Sequence, residues 1–149
     1  MSFLSAFNTS VSGMTAQRQR VNTISENIAN AETTRTPQGG PYRRREVILA
    51  SVANDRTFEE ELLSQDRSVS TSTEVKVVGI VQDERPPILR FEPGHPDANE
   101  DGYVEMPNVN IMEEMVNLMS ANRSYEANTA AFNATKNMVQ SALDLGRNA

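Results

Sequence analysis

Asp97, Asn99 and Asp101 stand at alternate positions ahead of Gly102, and their types and spacing come nearest in this chain to a chemical site. Oxygen-bearing side chains at every second position, then a glycine, make the first half of a calcium loop; the glycine allows the sharp turn that wraps ligands around the ion. Tyr103 would offer its carbonyl, and Val104 suits the apolar position after it. The second half is missing. Asn108 stands where a bidentate glutamate should close the site, and Pro93 and Pro96 forbid the entering helix. Residues 97–102 are therefore expected to form a tight acidic turn closed by Gly102, with a calcium-responsive binding module as the alternative.

Other chemistry finds less support. His95 is the only histidine and sits among prolines and a glycine, so it is expected to pack or hydrogen-bond in a turn. With no cysteine there is no thiolate nucleophile, disulfide or zinc–thiolate site. No glycine loop of the phosphate-cradling kind and no pair of histidines at metal-ligand spacing is present. The expectation is a protein that is not an enzyme and uses no cofactor, metal or small-molecule substrate.

The elements around that turn point to assembly. Phe7, Met14, Val21 and Ile28 recur every seven residues, with Phe3, Ile24 and Ala31 in a companion row. Ile111, Leu118, Tyr125, Phe132 and Val139 repeat the pattern, with Met115 and Leu143 in the second row. Such spacing makes one apolar stripe on a helix, the seam along which helices wrap. Ser10 and Gln17 interrupt the first seam, and Asn122, Thr129 and Lys136 the second. These last either fix register as buried polar residues or face water, which is the expectation for Lys136. Ser10, Ser12 and Gly13 either permit close approach of another helix or mark a loose spot; both readings stay open.

At 149 residues, with 5% aromatic residues and no Trp, the chain suits an elongated helical protein better than a compact core. At 38% hydrophobic and 23% charged it is too apolar for full disorder. The net charge of −6 is concentrated in residues 53–108, where thirteen acids face five bases. The two ends are nearly neutral, as surfaces to be packed together should be. Arg43-Arg44-Arg45 is the only basic run, too short for a nucleic-acid footprint. No apolar run approaches the roughly 20 residues that span a membrane. Met1–Ser5 lacks a signal-peptide pattern, so the chain is expected to remain in the cytoplasm unless a specialised route exports it.

The predicted architecture is mainly α with a small β part. One helix covers about residues 3–31, and a second begins near Asn110, with Asn110 as cap, Glu113 as its box partner and Gly146 as stop signal. Tyr42–Val52 reads as a strand. Val75–Val81 and Ile88–Phe91 read as a hairpin joined by Asp83–Pro87, and Gly102–Pro107 as a short extended piece. Residues 1–35 with 109–149 form a helical assembly domain, and 36–108 a central β-rich segment with a flexible loop at about 53–74. The helices carry too little continuous apolar surface for a stable two-helix hairpin, so neighbouring copies or partners are expected to complete the core.

Ser12-Gly13-Met14 followed by Asn27-Ile28-Ala29-Asn30 resembles the N-terminal signature of the bacterial flagellar axial proteins of rod and hook. Arg123-Ser124-Tyr125-Glu126-Ala127-Asn128 resembles their C-terminal signature. Thr34–Pro37 with Gly40-Pro41-Tyr42-Arg43-Arg44, and Pro93–Asp97 through Gly102–Val104 to Pro107–Asn110, are similar to a proximal-rod member in particular. The resemblance covers nearly the whole chain outside residues 53–74. It implies a structural subunit of the basal-body rod, exported by the flagellar type III apparatus without a cleaved signal and packed by its terminal helices into a helical tube in the periplasm. Its partners would be copies of itself, other rod subunits and the export apparatus, with no nucleic acid and no membrane insertion. On that reading the two ladders, Phe3 through Leu143, carry inter-subunit packing. Asn27, Asn30 and Asn128 cap helix ends or bond between helices. Arg43 and Arg44 either pair with acids of another subunit or line a solvated edge strand.

Overall fold

A computed structural model describes residues 3–53 and 73–147. The chain is α+β: helix α1 (Phe3–Ala29), strands β1 (Arg45–Ala53), β2 (Thr73–Gln82), β3 (Ile88–Phe91) and β4 (Tyr103–Met106), then helix α2 (Ile111–Arg147). The 54–72 part of the loop expected at 53–74 lies outside the described residues; Ala53, Thr73 and Glu74 belong to strand ends.

The helices begin and end for local reasons. Asn110 caps α2, its Oδ1 accepting the backbone N–H groups of Met112 and Glu113 at 3.1 and 3.4 Å. At the other end Gly146 does not stop the helix, which continues to Arg147; Gly146 is absent from the glycines in the left-handed region that a glycine cap uses. The end of α1 tightens through the bonds Ala31 N–H to Ile28 O and Thr33 N–H to Asn30 O, so the helix closes two residues before the expected 31. Asn30 helps by donating to Glu26 O at 2.9 Å.

The two helices run antiparallel. Phe7 meets Phe132 edge to face with centroids 5.0 Å apart, Gly13 faces Asn128, and Asn27 bonds to Glu114. The buried residues of α1 are Ser10, Gly13, Ala16, Thr23, Ile24 and Asn27, and those of α2 are Glu114, Ala121 and Thr135. Two of the buried hydroxyls are satisfied inside their own helices, Ser10 to Ala6 O and Thr135 to Ala131 O. Small, self-satisfied residues thus let the backbones approach, which is the close-approach reading of the Ser10–Gly13 cluster.

The β residues form two separate antiparallel ribbons. β1 pairs with β2 from Arg45↔Gln82 to Ala53↔Thr73, with a register shift between Ile48 and Leu49. That shift leaves Val78 as the extra residue beside Gly79, a usual composition for a bulge. β3 pairs with β4 from Ile88↔Met106 to Phe91↔Tyr103. The predicted pairing of Val75–Val81 with Ile88–Phe91 is therefore wrong. Pro86 and Pro87 stiffen the link and remove two ladder donors, and Asp83 Oδ1 takes the N–H of Arg85 at 3.0 Å, turning the chain away. A nine-residue β1 also offers β2 a longer ladder than a four-residue β3 does.

The first ribbon lies along α1, where Thr9 donates to Thr73 O and Ser12 Oγ accepts from Val75 N–H. Among the described residues the second ribbon packs on no helix or other strand; its connecting turn is tethered by Thr34 to Asp97 at 2.8 Å, and Asn108 closes its open end on Pro86 O at 3.3 Å.

Candidate functional site

The acidic turn is organised by its own backbone. Asn99 Oδ1 accepts the N–H groups of Asp101 and Tyr103, and Gly102 occupies the left-handed region at φ 79°. Asp97 faces away from Asn99 toward Thr34, with the Arg35 guanidinium at 3.9 Å. His95 Nδ1 accepts the Asp97 N–H at 3.1 Å, the turn role expected for it. Two of the three side chains of that loop, Asp97 and Asn99, are thus committed to other partners.

The polar centre of the molecule lies where α1, β1 and α2 meet. Asn27 is fully buried, and its carboxamide makes four hydrogen bonds. Its Oδ1 accepts from Tyr42 Oη and from Arg45 N–H, both at 2.9 Å. Its Nδ2 donates to Arg45 O at 2.8 Å and to Glu114 Oε2 at 2.9 Å. Toward Arg45 the side chain replaces a neighbouring strand, serving both backbone groups of the first β1 residue. Glu114, also fully buried, receives Arg44 Nε and Nη2 on Oε1, each at 2.9 Å. Arg44 reaches on to Glu46 at 3.3 Å and lies 4.0 Å from Asp83, whose N–H donates to Arg44 O.

Electrostatics follow the geometry. Burial pushes the Tyr42 hydroxyl above its usual range, keeping it a neutral donor to Asn27. Burial opposes the charge of Arg44, but the Glu114 carboxylate outweighs it and raises the guanidinium pKa. Hydrogen bonds from Arg85 hold Asp83 at about 2, below the ordinary 3.8.

Several family-motif residues meet here: Asn27, Tyr42 and Arg44. Arg44 is paired within its own chain and its side chain is largely buried, which corrects the expectation of a solvated edge. Arg43 is exposed, with no ion pair among the described residues. Asn27 is neither a cap nor confined to helix–helix bonding, since its bonds join α1 to β1 and α2. Asn30 does finish α1, and Asn128 packs on Gly13 while donating to Ser124 O. Ser12 bonds the ribbon, whereas Ala29, Arg123 and Ala127 face outward.

The two ladders sit off the closest line of helix contact. Ile24 is buried, and Phe7, Met14, Val21, Ile28, Leu118, Phe132 and Val139 are half-buried. Phe3, Ile111, Met115, Tyr125 and Leu143 are exposed. On α2 the buried row Glu114–Ala121–Thr135 precedes the expected second row, starting at Met115, by one residue. Glu114 was missed as a site residue because an acid in a first helical turn reads as a dipole or cap partner. Among the described residues no bond runs from the Asn110 N–H back to the expected box partner Glu113, so Asn110 caps α2 without the reciprocal half of the box. A further apolar stripe, Met112, Met115, Val116 and Met119, covers the outer face of α2.

An antiparallel pair of terminal helices around a motif-built junction, with apolar faces left outward, marks an axial assembly subunit. Residues 7–35 match the family described as flagella basal body rod protein, and residues 100–145 the C-terminal family of flagellar basal body rod FlgEFG proteins. The flagellar basal-body rod protein FlgC of Borreliella burgdorferi is 43% identical over 147 residues, covering 96% of this chain and 97% of its own. That of Bacillus subtilis is 43% identical over 152 residues (99% and 100%), and that of Escherichia coli O157:H7 38% over 147 (99% and 100%). The chain belongs to the FlgC family of flagellar basal-body rod proteins. It is a structural subunit of the rod and assembles there with other rod components.

Proposed function

We propose that this chain is a proximal-rod subunit that polymerises through its terminal helices into a helical tube and transmits torque. One observation carries the reading: small residues close the helix pair inside the chain, while large apolar side chains of the same helices are left half-buried or exposed. Large apolar side chains left exposed along both helices call for a protein partner. Residues 1–35 with 109–149 would form the packed inner layer and residues 36–108 the part outside it. Phe3, Phe7, Met14, Val21, Ile28, Ile111, Met115, Leu118, Tyr125, Phe132, Val139 and Leu143 would carry inter-subunit packing, while Ile24, expected among them, is buried inside the chain's own fold. A head-to-tail contact that does not close into a ring grows as a helix, as a rod requires.

The role is structural rather than catalytic: at the junction the side chains of Asn27, Tyr42, Arg44 and Glu114 are committed to one another. No described helix is long and apolar enough to cross a membrane. Export by the flagellar type III apparatus would take such a subunit to the periplasmic rod. A clean deletion in the host, followed by motility and an inventory of flagellar parts, tests the reading. Loss of swimming with the secretion-apparatus rings built but rod and hook missing is expected. Normal flagella would overturn it.

A further inference from the structure

We propose that the Asn27–Glu114–Arg44 junction couples two dockings, so that α2 seating on α1 and the first ribbon seating on α1 are one event. The coupling goes beyond the rod reading and does not depend on it.

Three observations carry it. First, among the described residues α1 packs against α2 and against both β1 and β2, whereas α2 packs against neither strand. The direct bonded link from α2 to the ribbon's base is Glu114 to Arg44, on the residue preceding β1. Second, the bonds are shared so that no half can be satisfied alone. Asn27 uses its carbonyl oxygen on Tyr42 and Arg45, and divides its amide between Arg45 O and Glu114. Removing the ribbon takes away two of the four Asn27 bonds, both to Arg45, and leaves Glu114 without its cation. Removing α2 leaves Arg44 without its buried anion and Asn27 with an unused donor. Buried polar and charged groups left unpaired in this way are strongly disfavoured, so half-formed states are suppressed.

Third, the chain of bonds continues past Arg44. Asp83, directly after β2, donates its N–H to Arg44 O at 2.8 Å and bonds Arg85 through its carboxylate. Both strands of the ribbon are therefore fastened at one end to the residue that Glu114 holds. By linkage, whatever steadies α2 against α1 also steadies the ribbon, by the same free energy in each direction.

Backbone amide hydrogen exchange on the purified full chain tests this. The Arg45 and Asp83 amides report the ribbon's base, and the Glu114 amide, bonded to Asn110 O, reports the first turn of α2. In the wild type the three should exchange within about threefold of one another. Glu114→Ala should accelerate all three together by tenfold or more. A purely local role would speed only the Glu114 amide and leave Arg45 and Asp83 at wild-type rates, which overturns the proposal. Should Glu114→Ala unfold the chain, Glu114→Gln decides, because it keeps an acceptor for Asn27 but no charge for Arg44. Joint acceleration of Arg45 and Asp83 in that variant supports coupling, and unchanged rates there overturn it.

Discussion

Two glycines do opposite work. Gly102 stands at φ 79°, and a Cβ there would lie 3.0 Å from Phe91 Cε2 and 3.1 Å from Pro93 Cβ. Left-handed backbone costs an L residue about 1–2 kcal/mol, to which the contacts add. Gly102→Ala should therefore lower stability by about 2 kcal/mol, read as a drop in denaturation midpoint, and disturb the Phe91–Tyr103 ring pair at 5.3 Å. Gly13 lies in helical backbone, and its open side is occupied by the Asn128 carboxamide. The acidic turn, with Gly102 in it, was readable from composition, because glycine after alternating oxygen ligands has few other uses. Asn27 was readable as a motif but not as a role. A carboxamide serving the backbone of Arg45 eighteen residues on leaves no periodic mark, and neither does the pairing of Glu114 with Arg44.

Among the elements, the long helices were legible because a seven-residue repeat survives any choice of partner. Which residues of the repeat would be buried was not. The apolar ladder marks the most hydrophobic line on each helix, whereas the backbones approach most closely along small residues one position earlier, as Ala121 and Thr135 show. Strand pairing was legible as strands but not as partners: β1 and β2 meet across residues 54–72, and no local turn signal reports a pairing at that distance. The Asp83 carboxylate fastens the turn after β2, and its pKa near 2 fixes the sign of its effect. A folded-state value below the ordinary 3.8 stabilises the fold above pH 4, and the contribution disappears as pH falls toward 2. Asp83→Asn should thus lower the thermal midpoint at neutral pH, with the gap to wild type narrowing below pH 4 and closing near pH 2. An unchanging gap across that range would locate the effect in the side chain's shape rather than its charge.

For the whole molecule, what matters is which apolar surface belongs to the fold and which to its neighbours. Phe132 lies against Phe7 within the chain, so Phe132→Ala should cost about 2–3 kcal/mol in the isolated protein as well as impair the rod. Met115 and Tyr125 are 47% and 40% exposed, and the chain's own packing asks little of them. Met115→Lys and Tyr125→Lys should change the isolated chain's stability by only about 0.5 kcal/mol, as surface substitutions do. In a rod subunit they would place a charge in a seam between helices, where an unpaired ammonium is costly to bury. The expected pattern is wild-type denaturation of the purified variants together with loss of swimming and of the rod in basal bodies. Were both variants to swim normally, these ladder residues would face solvent in the assembled rod. The inter-subunit seam would then lie elsewhere on the molecule.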